Sequence, residues 1–146
     1  LPLGLEKIGE EAFAGCSSLT NLEWPLQLKS IGVHAFYNCN NLDGIENISP
    51  NIERIGTDAF RNTTWESKQT GGYLYIHNVF YAYTGEVTDS MHIEIKKGTT
   101  YISGGAVSRC AAKINEYSTE NVLHPENMVI PNQNVLTHHS IAILPQ

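Results

Sequence analysis

The chain has 146 residues, 41% of them hydrophobic, which is room for one domain with a real core. Its formal charge is −6 and its nine Lys and Arg are scattered, so neither nucleic acid nor an anionic membrane surface is expected as the main partner. No apolar run approaches the ~20 residues of a membrane helix, and an odd number of cysteines makes no disulfide framework.

In chain order, the first five residues, Leu1-Pro2-Leu3-Gly4-Leu5, match Trp24-Pro25-Leu26-Gln27-Leu28 and read as the tail of an earlier coil. With no initiator Met or signal peptide, the chain is expected to be a processed or cut piece of a longer protein. IGEEAFAGC at 8–16 returns as IGVHAFYNC at 31–39 and as IGTDAFRNT at 55–63. Ile8, Ile31, Ile55 and Ile102 recur at steps of 23, 24 and 47 residues, the last being two steps. Ala12-Phe13, Ala35-Phe36, Ala59-Phe60 and Ala106-Val107 keep the same phase, as do Cys16, Cys39 and Cys110, with Thr63 in the third turn. Self-similarity at a period of 20–50 residues is the signature of stacked coils, each unable to bury its apolar face alone.

Within a unit, Leu22 and Trp24 alternate with Asn21 and Glu23, which predicts a strand with one buried face, closed by Pro25. Leu28 and Ile31 then turn inward, Gly32 is expected to permit a tight bend, and Ala35 and Phe36 fill the interior. Asn38 and Asn40 turn the chain again.

The third unit departs from this plan. Residues 72–76 and 79–83 read as paired strands about a His77-Asn78 turn, with Tyr73, Tyr75, Tyr81 and Tyr83 on one side and Leu74, Ile76 and Phe80 mainly on the other. Regularity returns at His92-Ile93-Glu94-Ile95, equivalent to Asn21-Leu22-Glu23-Trp24, and ends at Cys110. Beyond Ala111 the phase is lost, and residues 111–146 are expected to be a degenerate cap or a tail.

The pattern LxxLxLPxxLxxIGxxAFxxC resembles the bacterial BspA-like leucine-rich repeat family over roughly residues 1–110, and Trp65, Gly72, Tyr75, Tyr81, Tyr83 and Gly85 resemble its variant unit. The resemblance implies a right-handed curved solenoid with a parallel sheet on its concave side, in secreted or cell-surface proteins that bind other macromolecules. The expected fold is therefore mainly β: a leucine-rich-repeat solenoid of five to six coils with parallel strands on the concave face, one irregular hairpin-like coil and a degenerate C-terminal cap. As a single solenoid fragment over 1–146, it divides into regular coils at 1–62, a variant coil at 63–89, a regular coil at 90–110 and the cap or tail at 111–146.

Candidate sites are few. Cys16 and Cys39 share an inward slot and read as buried free thiols. His34, His77 and His92 lie in different coils and His138-His139 are adjacent, so the histidines read as surface residues and no metal site is expected. No enzyme motif is present, so no catalytic residue and no cofactor is expected. The first candidate ligand-binding set is Glu23, Glu46 and Glu94, equivalent strand positions that would form an acidic stripe. The second is Tyr73, Tyr75, Tyr81 and Tyr83, since tyrosines present an apolar face with a polar tip. The expected function is adhesion-type recognition of a protein partner, a host or neighbouring-cell protein, through the concave sheet. The alternatives are carbohydrate binding by the tyrosines or an architectural spacer.

Overall fold

The computed structural model of the protein describes residues 1–86, 92–107 and 116–117. Contacts divide the chain into two units, 1–70 and 71–146. Cys110, His138, His139 and, apart from 116–117, the cap expected at 111–146 lie outside the described residues.

In the first unit three two-residue strands, β1 (Lys7–Ile8), β2 (Ser30–Ile31) and β3 (Arg54–Ile55), pair in parallel, so that Ile8 sits beside Ile31 and Ile31 beside Ile55. The repeated isoleucines thus occupy one column, and all three are buried. A second ladder continues the same register. The amides of Glu11, Phe13 and Gly15 donate to the carbonyls of Val33, Ala35 and Tyr37 at 2.7–2.9 Å, and those of His34, Phe36 and Asn38 to Thr57, Ala59 and Arg61 at 2.8–3.0 Å. Each coil reaches this register through successive tight turns, such as Ala12 N–H to the Gly9 carbonyl and Cys16 N–H to the Phe13 carbonyl.

Those turns need left-handed residues at two places per coil: Glu11, His34 and Asp58 three residues past the isoleucine, and Gly15, Asn38 and Asn62 seven past it. Glycine and asparagine enter that region at the lowest cost, which accounts for their recurrence in the second slot. Asn62 Nδ2 also donates to Asn38 Oδ1 of the neighbouring coil at 2.7 Å.

Two expectations require correction. Residues 19–25 form no strand in this unit; Leu22 and Trp24 are half-buried, and parallel pairing occurs instead at the Ile-Gly step. Nor does Gly32 serve a bend of its own, since it is absent from the left-handed glycines. A Cβ built on Gly32 would meet Glu10 N at 2.5 Å, and one on Gly56 would meet Val33 N at 2.4 Å. The glycine is there because backbones of adjacent coils approach too closely for a side chain.

Inside this unit, Phe36 stacks on Phe13 (5.1 Å between centroids) and on Phe60 (5.5 Å), with Trp24 and Trp65 edge-on to the column. Thr63, in the cysteine slot, is buried and caps helix α1 (Thr64–Ser67): its Oγ1 accepts from Glu66 N–H at 3.1 Å and donates to the Phe60 carbonyl at 2.8 Å. The helix buries Trp65, whose amide donates to the Leu42 carbonyl at 3.0 Å.

In the second unit, β4 (Tyr73–Ile76) and β5 (Val79–Tyr83) form the expected antiparallel hairpin, and β5 pairs in parallel with β7 (Tyr101–Ile102). The two-residue loop places His77 at φ 51°, a left-handed turn matched to the twist of the strands. Tyr83 N–H donates to the Ala106 carbonyl as Phe36 does to Ala59, so β5 carries the repeat register. Strand β6 (His92–Ile93) pairs in parallel with β8 (Glu116–Tyr117), one repeat step further on. The strand expected beside each acidic position thus forms at 92–93, and parallel pairing extends past residue 111, where the sequence phase fades.

Candidate functional site

Glu23 and Glu46 are both exposed, one repeat apart in the first unit, on different backbones: Glu23 in an irregular segment and Glu46 in a 3-10 helix (Ile45–Asn47). The helix begins where Gly44 turns left-handed (φ 75°), a break that the spacing of Ile45 and Ile48 alone did not signal. Near them, Lys68 donates to the Asp43 carboxylate and holds it below the usual carboxylate range, assisted by the Gly44 amide.

Glu94, in the second unit, is half-buried between the fully buried Ile93 and Ile95. Its amide donates to Tyr73 Oη at 3.0 Å, and the amide of Lys96 donates to Tyr75 Oη at 3.0 Å. Tyr75 Oη also bonds Thr99 Oγ1 at 3.1 Å, while the Lys96 ammonium lies 5.6 Å from the Tyr75 ring centroid. The structure therefore brings Glu94 to the tyrosines, and the two hydroxyls act as acceptors for a neighbouring backbone.

The tyrosine face differs from the sequence expectation for a definite reason. Between Leu74 and Tyr75 the hairpin register shifts, so Leu74 pairs with Ala82 but Tyr75 with Phe80. Tyr81 is the extra residue of this bulge, and such a residue breaks strict alternation. Phe80 joins the tyrosine side, stacked on Tyr75 at 5.2 Å and tilted on Tyr73 at 5.8 Å. Tyr81 is only 1% exposed and Tyr83 only 8%. The Tyr83 ring fits where glycines make room: a Cβ on Gly72 would come within 2.9 Å of it, and one on Gly85 within 2.7 Å of its hydroxyl. This is the physical reason for the two glycines around the hairpin.

Burial pushes the Tyr73 and Tyr75 hydroxyls above their ordinary value, despite the amides that bond them. Because the folded pKa is raised, their stabilising contribution is fully present below the unfolded pKa of about 10 and is lost as pH rises through the folded value. Alkaline titration should therefore show these phenols ionising late and together with loss of the second unit's structure. In Tyr75→Phe the late phase should shrink at a cost of about 1–2 kcal/mol, because Lys96 N–H and Thr99 lose a partner.

Exposed leucines escaped the sequence reading. Leu3 and Leu26 are 86% and 70% exposed, one repeat apart and each following a proline. Their recurrence after Pro2 and Pro25 was the available signal. Among the described residues no three His, Cys, Asp or Glu side chains gather as a metal set, and no helix is long and apolar enough to cross a membrane.

No curated protein and no solved structure matches the chain. Residues 1–113 match the BspA type leucine rich repeat region in six copies. With more than half its length so matched, the chain belongs to the BspA-type leucine-rich repeat family.

Proposed function

We propose that the chain is a non-catalytic recognition module of a secreted or cell-surface protein, built as a leucine-rich-repeat solenoid and binding a protein partner in an adhesion-type role. Membership of a repeat family that serves protein interaction supports the coarse reading. The observation that carries it further is that exposed side chains return one repeat apart in the first unit: Leu3 and Leu26, and, on different local backbones, Glu23 and Glu46. A partner with basic and apolar groups at a similar spacing engages several coils at once. The burial of Tyr81 and Tyr83, and the engagement of the Tyr73 and Tyr75 hydroxyls, weigh against a sugar-stacking platform.

Each exposed ion pair contributes little, about 0.5 kcal/mol, and is screened by salt. Two of them, at Glu23 and Glu46, amount to about fivefold in affinity. Surface proteins of host and neighbouring cells should be captured on the immobilised chain, identified by mass spectrometry and titrated individually, alongside a glycan array. The double variant Glu23→Gln, Glu46→Gln should bind the captured protein about fivefold more weakly at low salt while keeping its fold. Unchanged binding would remove the acidic residues from the site. Failure to capture any protein, with glycans bound instead, would overturn the reading.

A further inference from the structure

The two described cysteines are not alike. Cys39 is fully buried, whereas Cys16 is half-buried, so the expectation of two equally hidden thiols holds only for Cys39. They nevertheless hold the same place in adjacent coils. The bond from Gly15 N–H to the Tyr37 carbonyl, 2.7 Å, fixes the parallel register one residue before Cys16 and two before Cys39. Cys16 is thereby placed opposite Cys39, as Phe13 is opposite Phe36.

One carbonyl marks how close they come. Phe13 O accepts from Cys16 N–H at 3.0 Å and from Cys39 Sγ at 3.0 Å, so the Cys39 sulfur is turned toward the turn that carries Cys16. In-register neighbours in a parallel arrangement lie about 4.8 Å apart, inside the roughly 4.4–6.8 Å between Cα atoms that a disulfide spans. The third coil has Thr63 in this slot, so within the first unit only this pair can be joined.

We propose that Cys16 and Cys39 are a thiol–disulfide site that staples the first two coils together when the protein meets a small-molecule disulfide. The Cys16 thiolate, the accessible sulfur, attacks a disulfide such as oxidised glutathione; a mixed disulfide forms and one glutathione leaves as its thiol. Cys39 then loses its proton to solvent and its sulfur attacks Cys16 Sγ. The Cys16–Cys39 bond forms and the second glutathione leaves, taking up a proton. Two protein thiols are oxidised and one glutathione disulfide is reduced to two thiols. Burial pushes the Cys39 thiol up, which suits the resolving rather than the attacking role. The bond closes a loop in the unfolded chain, so the oxidised protein should melt at a higher temperature than the reduced one, and dithiothreitol should reverse the gain.

The test uses the intact chain, treated natively with oxidised glutathione, quenched by alkylation and mapped by proteolysis and mass spectrometry. The expected product is a peptide pair linked through Cys16 and Cys39. Cys39→Ser should stop at a stable glutathione adduct on Cys16, and Cys16→Ser should leave Cys39 unmodified. The proposal is overturned if Cys16 of the unmutated chain keeps its adduct while Cys39 stays reduced, or if the link appears only in denaturant. It is equally overturned if Cys16 pairs instead with Cys110.

Discussion

Gly32→Ala and Gly56→Ala should each destabilise the first unit by about 3 kcal/mol, whereas Gly9→Ala should cost nothing. The three glycines hold the same place in consecutive IG phrases, yet their surroundings differ. A methyl at Gly32 would lie 2.5 Å from Glu10 N and 2.7 Å from Gly9 C; at Gly56 it would lie 2.4 Å from Val33 N. These are backbone atoms held in the ladder, so they cannot give way as a flexible side chain would, and overpacking of this kind costs about 1–3 kcal/mol or more. At Gly9 nothing lies within 4 Å. There alanine should be neutral, or stabilise by up to about 1 kcal/mol through the unfolded chain. Urea denaturation of the three variants checks this. Equal losses at all three would mean that the glycines answer a backbone demand of the phrase and not the approach of a neighbouring coil.

Phe36→Ala should be the most damaging truncation in the first unit, at about 4 kcal/mol. Phe36 is 0% exposed and stands between Phe13 and Phe60, nearly parallel to both, with Trp24 edge-on at 5.6 Å. Removing the ring leaves a cavity walled by the Phe13, Phe60 and Trp24 rings, with little room to collapse. Phe13→Ala removes the same atoms from a half-buried site and should cost less than about 2 kcal/mol. Chemical denaturation of the pair, with Phe36→Leu as an intermediate, measures the gradient. Similar losses at Phe13 and Phe36 would contradict a column in which the second ring is enclosed by its neighbours.

The same residues show how far the sequence could be read. The repeat was visible because each coil meets the same demands: Ile8, Ile31 and Ile55 in one column, an aromatic beside it, and glycine where backbones close up. The purpose of Gly32 was not visible, since a glycine needed for a bend and one needed for close approach are the same letter. The strand expected at Leu22 and Trp24 failed in the first unit and formed at 92–93, although the alternation is alike in both. Pairing depends on what the neighbouring coil presents, and at Gly44 the next coil turns left-handed into a 3-10 helix.

The tyrosines were assigned by counting alternate residues, a rule that one bulge at Tyr81 reverses for Phe80. Thr63 looked like a substitute cysteine. The Thr-x-x-Glu spacing to Glu66 was the available sign that it caps a short helix. The candidate site was the least legible part, because exposed side chains such as Glu23, Glu46 and Leu26 are free of the packing that made the core repeat.

Everything proposed about function rests on equivalent residues returning in columns, so the register itself is the decisive quantity. Scalar couplings across hydrogen bonds, measured by nuclear magnetic resonance on the isotope-labelled chain, report donor and acceptor directly. They should connect the amides of Phe13 and Gly15 to the carbonyls of Ala35 and Tyr37, and those of Phe36 and Asn38 to Ala59 and Arg61. Couplings that join these amides to carbonyls in any other register, or amides that exchange as freely as those of an unfolded chain, would contradict the stack and the recognition surface built on it.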